Sequence, residues 1–370
     1  MRLLIETRDA ALGVEEGRIV APTGRFDATL RVRDGTLLPG LINAHDHLHR
    51  NHYGRLGHPP YQDAYEWGND IHHRFAETIA LGRAMPRREA LLRGAWKNLR
   101  AGVTTVVHHD AWEDAFDEDF PLRVVRIDTA HSLRLAPVLP AATNGAPFAI
   151  HLAEGINCAA ADEVRELDAR GLVTHDLLAV HAVGVDARGI QRLRATGAAV
   201  VWCPTSNRFL FGRTAPAELL APGIDVLLGS DSLLTADGSL LRELRVARDI
   251  GLVSHARLHD AVGATAASRL GIESPSLDVG ARADVIVLRR PLLEATESDV
   301  ALVVADGVLR VADPSLLPAL GALAERGRIE TASDVPRWIS DQPSRVESER
   351  ERRRRSSVSK IGRASCRERV

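Results

Sequence analysis

Short apolar runs alternate with longer amphipathic stretches through the middle of this chain. The runs are GLINAHDH, VTTVVHHD, LRVVRID, PFAIHLAEG, LLAVHAVG, AAVVWCPTSN and IDVLLGSDS. Each has the length of a strand and is nearly continuous in apolar residues, the pattern of a strand buried on both faces. An eighth strand is expected around TAHSLRL. Between the runs, PRREALLRGAWKNLRAG, AADEVRELDARG, DARGIQRLRATG, SLLRELRVARDIG and HARLHDAVGATAASRLG read as helices. Several of these end at glycine, a normal helix stop. Strand–helix alternation predicts a parallel sheet covered by helices. Seven or eight such units over roughly 230 residues predict an α/β fold of the (β/α)8 TIM-barrel type. A doubly wound open sheet is the alternative; it calls for a glycine-rich phosphate loop after an early strand, and the sequence has none.

The two ends of this array have a different rhythm. RLLIE, GRIVAP and ATLRVRDGTLLPG near the start, and SLDVGARADVIVLRRP and DVALVVADGVLRV near the end, are short β-like segments broken by glycine and proline. Strands from both chain ends can pair into one small domain around a central insertion. The expected organisation is therefore a composite β-sandwich domain from 1–38 and 275–312, and a catalytic barrel from 39–274. A C-terminal extension, 313–359, is expected to be partly disordered, because ESERERRRRSSVSK is a charge run without an apolar face. The last segment, KIGRASCRERV (360–370), reads as a translated sequencing adapter and is set aside with Cys366.

Composition narrows the function classes. A formal net charge of -2 gives no global field toward nucleic acid or an acidic membrane. Of 47 Lys+Arg residues, only Lys97 and Lys360 are lysine. The three cysteines, Cys158, Cys203 and Cys366, form no CxxC pair, so neither a disulfide framework nor a thiolate zinc site is indicated. Glu6 and Asp9 interrupt the place where a signal peptide needs its apolar core. The expectation is a soluble cytoplasmic protein acting on a small molecule, with no nucleic-acid or membrane partner and with homo-oligomerisation left open.

Candidate chemistry gathers at the strand ends, where a barrel carries its active site. The first strand ends in HDH, the second in HHD, the fifth in HLAEG, the sixth in HAVG and the eighth in GSDS. His45 and His47 are two apart, which on a strand puts both imidazoles on one face and Asp46 on the other. Two imidazoles on one face suit zinc or iron. His151 and Asp231 would complete a set of three nitrogens and one carboxylate, leaving a position open for water. Glu154, just past the fifth strand, is placed to move a proton between that water and a leaving group. His181 is either a further ligand or a hydrogen-bonding group for substrate or nucleophile. His108, His109, Asp110 and His131 read equally well as pocket-lining and as packing groups. The long His49–Phe75 segment, with Trp67, suits a lid or substrate wall. CPTSN after the seventh strand offers Asn207 as a polar contact or a turn. The substrate contacts expected from these segments are His109, His131, Trp67 and Asn207.

The stretches LLPGLINAHDHL, IHLAEG, AVHAVGVD, VVWCPTSN and LLGSDS, followed by LDVGARADVIVL and VVADGVLRV, resemble the amidohydrolase superfamily in content and order. The resemblance is to the branch with cytosine deaminase, guanine deaminase and the triazine hydrolases, and it runs from the first strand to about Val311. It implies that His45, His47, His151 and Asp231 bind metal, that Glu154 shuttles protons and that His181 orients nucleophile and substrate. It implies hydrolysis of a non-peptide carbon–nitrogen bond, foremost deamination of an amino-substituted heterocycle. Opening of a cyclic amide and dechlorination of a triazine-like ring are alternatives within the class, and a non-catalytic metal- or small-molecule-binding barrel is the alternative outside it. Binuclear members bridge two metals with a carboxylated lysine on a mid-barrel strand. Lys97 falls in an expected helix and Lys360 in the tail, so one divalent ion is expected, Zn2+ with Fe2+ as alternative. The interval from His47 to His151 is short for this branch, and Trp202 stands where relatives often carry histidine.

Overall fold

Alternation sorts the start of the chain into strands. In Arg2–Glu6, Leu3 and Ile5 are buried while their neighbours are partly exposed. The computed structural model describes residues 2–342, apart from 137 and 333. Its first sheet runs in the order Arg18–Val20, Ala11–Glu15, Arg2–Glu6, Ala28–Arg31. A second, six-stranded sheet takes Thr36–Pro39 from the start of the chain and pairs it antiparallel with Val285–Leu288, Leu37 opposite Val287. Val300–Ala305 and Val308–Ala312 follow as a hairpin. Leu3, Ile5, Val14, Ile19 and Leu30 of one sheet share a core with Val285, Val287, Leu302, Val304 and Leu309 of the other. Strands from both chain ends thus make the small β-domain that the patterning predicts.

Its second sheet extends further than the sequence led us to expect. Within the extension expected from 313, Gly327–Ala332 and Val335–Ser340 form a hairpin that joins the edge of Val308–Ala312. Trp338 explains why: it is 1% exposed, packs into the core between the sheets and donates from Nε1 to the Ala324 carbonyl at 3.0 Å. Before the hairpin, Leu316 and Leu320 of the same extension pack into this core; residues 343–370, with the charge run, Lys360 and Cys366, lie outside the described residues.

The central strands are all present. In chain order they are Leu41–Asp46, Val103–His108, Arg123–Val125, Asp128–Ser132, Phe148–Leu152, Leu177–His181, Ala199–Trp202 and Val226–Leu228. The first three pair in parallel, as do the fourth to the eighth. Between the eighth strand and the first, the Asp231 N–H donates to the His45 carbonyl at 3.0 Å. Helices such as Arg87–Arg100, Cys158–Ala169, Ala187–Thr196 and Leu240–Ile250 follow the strands, giving the (β/α)8 architecture. Ile42, Ala44, Val107, Ala149, Val180, Val201 and Leu227 fill the interior, and each fully buried Val or Leu side chain contributes about 1.5–3 kcal/mol. One irregularity stands out. The third and fourth strands follow one another in the same direction with only Arg126 and Ile127 between them and no helix. The third lies along the second strand, Arg123 opposite Thr105, and the fourth along the fifth, Asp128 opposite Phe148. A single kinked stave therefore bridges the two parallel blocks. No described helix is long and apolar enough to cross a membrane.

If the segment after 312 is part of the folded unit, Trp338→Ala removes a core side chain. The expected loss is about 3–5 kcal/mol of unfolding free energy, read by denaturant titration. A loss below about 1 kcal/mol would mean that the hairpin does not contribute to the core.

Candidate active site and metal centre

Two features turn the strand ends inward. In the first strand the register to its neighbour slips between Asn43 and Asp46, so a bulge lets Ala44 and His45 both serve the interior. At the end of the sixth strand, Ala179 packs outward, and strict alternation would send His181 the same way. His181 instead has a φ of 68°, and its ring lies 5.2 Å from that of His151. Asp231 likewise adopts a left-handed backbone, with a φ of 50°. Such conformations are uncommon for side chains other than glycine and need local support.

The side chains so presented converge. Nε2 of His45 and Nε2 of His151 face each other at 3.4 Å. Asp231 Oδ1 lies 3.7 Å from His45 Nε2 and 3.9 Å from His47 Nε2. Burial holds His45 below the usual imidazole range, His47 at about 3 and His151 far below, so the rings are neutral. Burial opposes ionisation of Asp231, but His45, His181 and His47 hold its carboxyl well below the usual range. Its Oδ2 accepts from Ser206 Oγ at 2.8 Å and Thr235 Oγ1 at 2.7 Å, which leaves Oδ1 turned toward the histidines. One shared proton would satisfy the His45–His151 pair, and Ser232 N–H donates to Asp231 Oδ1 at 2.7 Å, but His47 Nε2 is left with a lone pair facing the cluster. A divalent ion would suit His45, His47 and Asp231, whose ligand atoms lie within 4.8 Å of one another, with His151 facing His45 from the other side. Three imidazole nitrogens and one carboxylate oxygen are a set that zinc takes, with a position left for water.

Asp110 fixes the tautomer of His47. Its Oδ2 accepts from His47 Nδ1 at 2.6 Å, so the proton sits on Nδ1 and the Nε2 lone pair faces the cluster. Arg50 donates to the other oxygen at 3.0 Å. Burial works against the Asp110 charge, yet His47 and Arg50 keep its carboxyl well below the ordinary range. His49, His108 and Asp110 also lie close together. That group presents fewer free lone pairs, because Leu48 N donates to His108 Nδ1 at 3.2 Å and so places the His108 proton on Nε2.

Glu154 stands above this cluster, its Oε1 3.5 Å from His181 Nε2. Burial raises its carboxyl to about 7, with His181 opposing and Asp231 adding to the rise. Behind His181, Asn207 accepts at Oδ1 from Nδ1 at 2.9 Å, and its amide nitrogen donates to the His181 carbonyl at 3.4 Å. His181 Nε2 is therefore the free, proton-accepting nitrogen.

These distances change two expectations about substrate contacts. Asn207 is fully buried beneath His181, not in the cavity, because the Pro204–Phe211 helix draws it under the sixth strand. His109 is 2% exposed, stacks on His151 with ring centres 4.2 Å apart and binds the Ala130 carbonyl through Nε2 at 3.0 Å. It belongs to the ring cluster rather than to the cavity lining. His131 and Trp67 do line a cavity of about 880 Å³ above the cluster. Glu154, His181, Asp231 and His47 form part of its lining, as do Tyr53, Tyr65, Ile71 and Ile79. The latter group comes from the His49–Phe75 segment and the Ala76–Arg83 helix, so the expected substrate wall is helical rather than a loose loop.

The sequence reading missed the polar layer under the donors. Asp46, directed away from the metal side, accepts from Asn51 Nδ2 at 2.8 Å, Asn98 Nδ2 at 2.7 Å and Ser230 Oγ at 3.2 Å. Lys97, in the Arg87–Arg100 helix, pairs with Asp46 Oδ2 at 3.0 Å. An acid between two ligand histidines and a lysine in an otherwise arginine-only body were the available signals.

No family model matches the chain. A 5-methylthioadenosine/S-adenosylhomocysteine deaminase of Halobacterium salinarum is 30% identical over 190 residues, covering 45% of this chain and 44% of the relative. The chain thus matches less than half the length of that relative. The deaminase of the same name from Haloarcula marismortui is 24% identical over 355 residues, covering 77% and 81%. Among solved structures, a zinc-bound adenosine deaminase from Xanthomonas campestris superposes with a TM-score of 0.58 at 21% identity, covering 85% of this chain and 94% of that one. A zinc-complexed atrazine chlorohydrolase from Arthrobacter aurescens gives a TM-score of 0.64 at 17% identity, covering 83% and 94%. These structural likenesses concern the fold. The chain is thus similar in sequence to methylthioadenosine/adenosylhomocysteine deaminases and shares its fold with a zinc-bound adenosine deaminase and a triazine-type chlorohydrolase.

Proposed function

We propose that this chain is a metal-dependent hydrolase of non-peptide carbon–nitrogen bonds that deaminates an amino-substituted heterocycle. The observation that carries the reading is Glu154 beside His181, its carboxyl raised by burial to about 7, lining the same cavity as His47, His151 and Asp231. An acid poised near neutral pH can both accept and deliver a proton within one turnover. His45, His47, His151 and Asp231 would hold the ion. A zinc ion bound there polarises the site and makes water a competent nucleophile at neutral pH.

The chain's own groups then divide the work. Glu154 takes a proton from water and passes it to the ring nitrogen next to the carbon under attack. His181 Nε2, held in its tautomer by Asn207, accepts a hydrogen bond from the nucleophile beside Glu154. Asp231 receives the remaining proton. Its return to the exocyclic nitrogen lets ammonia leave, so the ring C–NH2 and water become a ring carbonyl and NH3. Tyr53, Tyr65 and Trp67 give the cavity aromatic faces suited to a flat heterocycle. The deaminase relatives, named for adenine-bearing substrates, make purine-type rings the first class to test.

Two outcomes follow. In a panel of purines, pyrimidines, pterins and triazines, at least one ring is expected to release ammonia, and Glu154→Gln is expected to cut that rate about 10²–10⁴-fold with zinc still bound. Chloride release without ammonia, or full activity in the variant, would contradict the reading. Asp110→Asn is expected to weaken zinc about 10–100-fold in a chelator competition, because His47 loses the acceptor that fixes its tautomer. Unchanged affinity would show that His47 does not need it.

A further inference from the structure

Lys97 is the one lysine in the described residues, and it lies beneath the donor cluster rather than on the surface. Its ammonium has three donors and three acceptors: Asp46 Oδ2 at 3.0 Å, Ser230 Oγ at 3.0 Å and the Asp231 carbonyl at 2.8 Å. The last contact falls on the backbone of the acid that faces the histidines. Asp46, opposite, is 0% exposed and sits in sequence between His45 and His47.

From this geometry we propose that Lys97, acting with Asp46, is a positioning residue that holds Asp231 and the His45–His47 strand in metal-binding register. The proposal rests on the donor set described above, not on the reaction assigned to it. Asp231 occupies a left-handed backbone conformation and needs support from outside its own strand. Three restraints meet on it. Its N–H is tied to the His45 carbonyl at 3.0 Å, its carbonyl to Lys97, and its Oδ2 to Ser206 and Thr235. Oδ1, which also accepts from the Ser232 N–H at 2.7 Å, is the oxygen turned toward His45 and His47. Because Lys97 also grips Asp46, one ammonium links the first strand to the end of the eighth. The Arg87–Arg100 helix that carries it thereby indexes both.

A buried ion pair is poor evidence of stabilisation, since apolar groups of similar volume often serve as well. This one has the features of a positional device: complete hydrogen bonding and two partners that adjoin metal ligands. The same full occupancy keeps the ammonium from the donor side, where a carboxylated lysine would have to reach.

The test uses zinc affinity, by chelator competition, and the visible absorption of the cobalt-substituted protein. Asp46→Asn/Lys97→Met removes both charges together, so neither is left buried alone. We expect its zinc dissociation constant to rise at least about tenfold and its cobalt bands to shift, as for loss of a ligand-orienting partner. Lys97→Arg keeps the charge opposite Asp46 but replaces a compact ammonium with a wide planar fork. It is expected to show the same weakening. Zinc affinity and cobalt spectrum within about twofold of the parent in either variant, whatever the thermal midpoint, would overturn the proposal and leave the pair as a structural plug. No substrate enters the measurement, so failure of the deaminase reading and failure of this one are separate results.

Discussion

Two imidazole nitrogens, from His45 and His151, face each other across 3.4 Å in a part of the barrel closed to solvent. Both rings are held neutral by burial, and a carboxylate oxygen and a third imidazole look onto the same point. A shared proton can join two of these nitrogens, whereas a cation among them would engage several of the donors at once. Much of the local architecture serves this one constraint. The bulge in the first strand, the left-handed backbone at His181 and Asp231, and the oriented side chains of Asp110, Asn207, Ser206 and Thr235 all aim a donor or hold one still. The proposed reaction draws on Glu154, His181 and the aromatic wall of the cavity above the cluster.

How much of this could be read in the sequence depended on whether the relevant rule was local. The spacing of two put His45 and His47 on one side, but His45 faces the interior beside Ala44 through a bulge, and His47 lies just past the strand. The strand runs and the pairing of chain ends followed from periodicity. His181 could be placed at a strand end but not pointed, because its direction comes from a single positive φ. Asn207 carried the ambiguity of any polar residue after a strand; the start of the Pro204–Phe211 helix resolved it by drawing the side chain beneath His181. Trp338 lay past the last patterned strand, and only its fit between two distant sheets shows why that hairpin exists. Lys97 lies in the Arg87–Arg100 helix, as the sequence predicts, where it cannot supply a strand-borne bridge. Its actual partners are far away in sequence: Ser230 and Asp231 lie 133 and 134 residues from it.

The short interval between His47 and His151 has a structural counterpart. The third and fourth strands share one kinked stave, and no helix separates them. His109 reaches across the junction to the Ala130 carbonyl and stacks on His151, closing the wall from inside. His131, on the fourth strand, is left at the cavity edge with Arg134 and Leu135. On the opposite side the cavity is bounded by the Ala64–Arg74 and Ala76–Arg83 helices. Chemistry and specificity are thus carried by different parts of the chain: strand ends hold the donors, and inserted helices and the shortened stave shape the space above them.

The central claim is that His45, His47, His151 and Asp231 together hold one ion. Zinc K-edge X-ray absorption on the loaded protein tests it most directly, with metal counted per chain. The account predicts one zinc, with about three imidazole nitrogens near 2.0–2.1 Å, one carboxylate oxygen and no sulfur. Two zinc ions per chain, a thiolate in the coordination shell, or an unaltered spectrum after His151→Asn would contradict it.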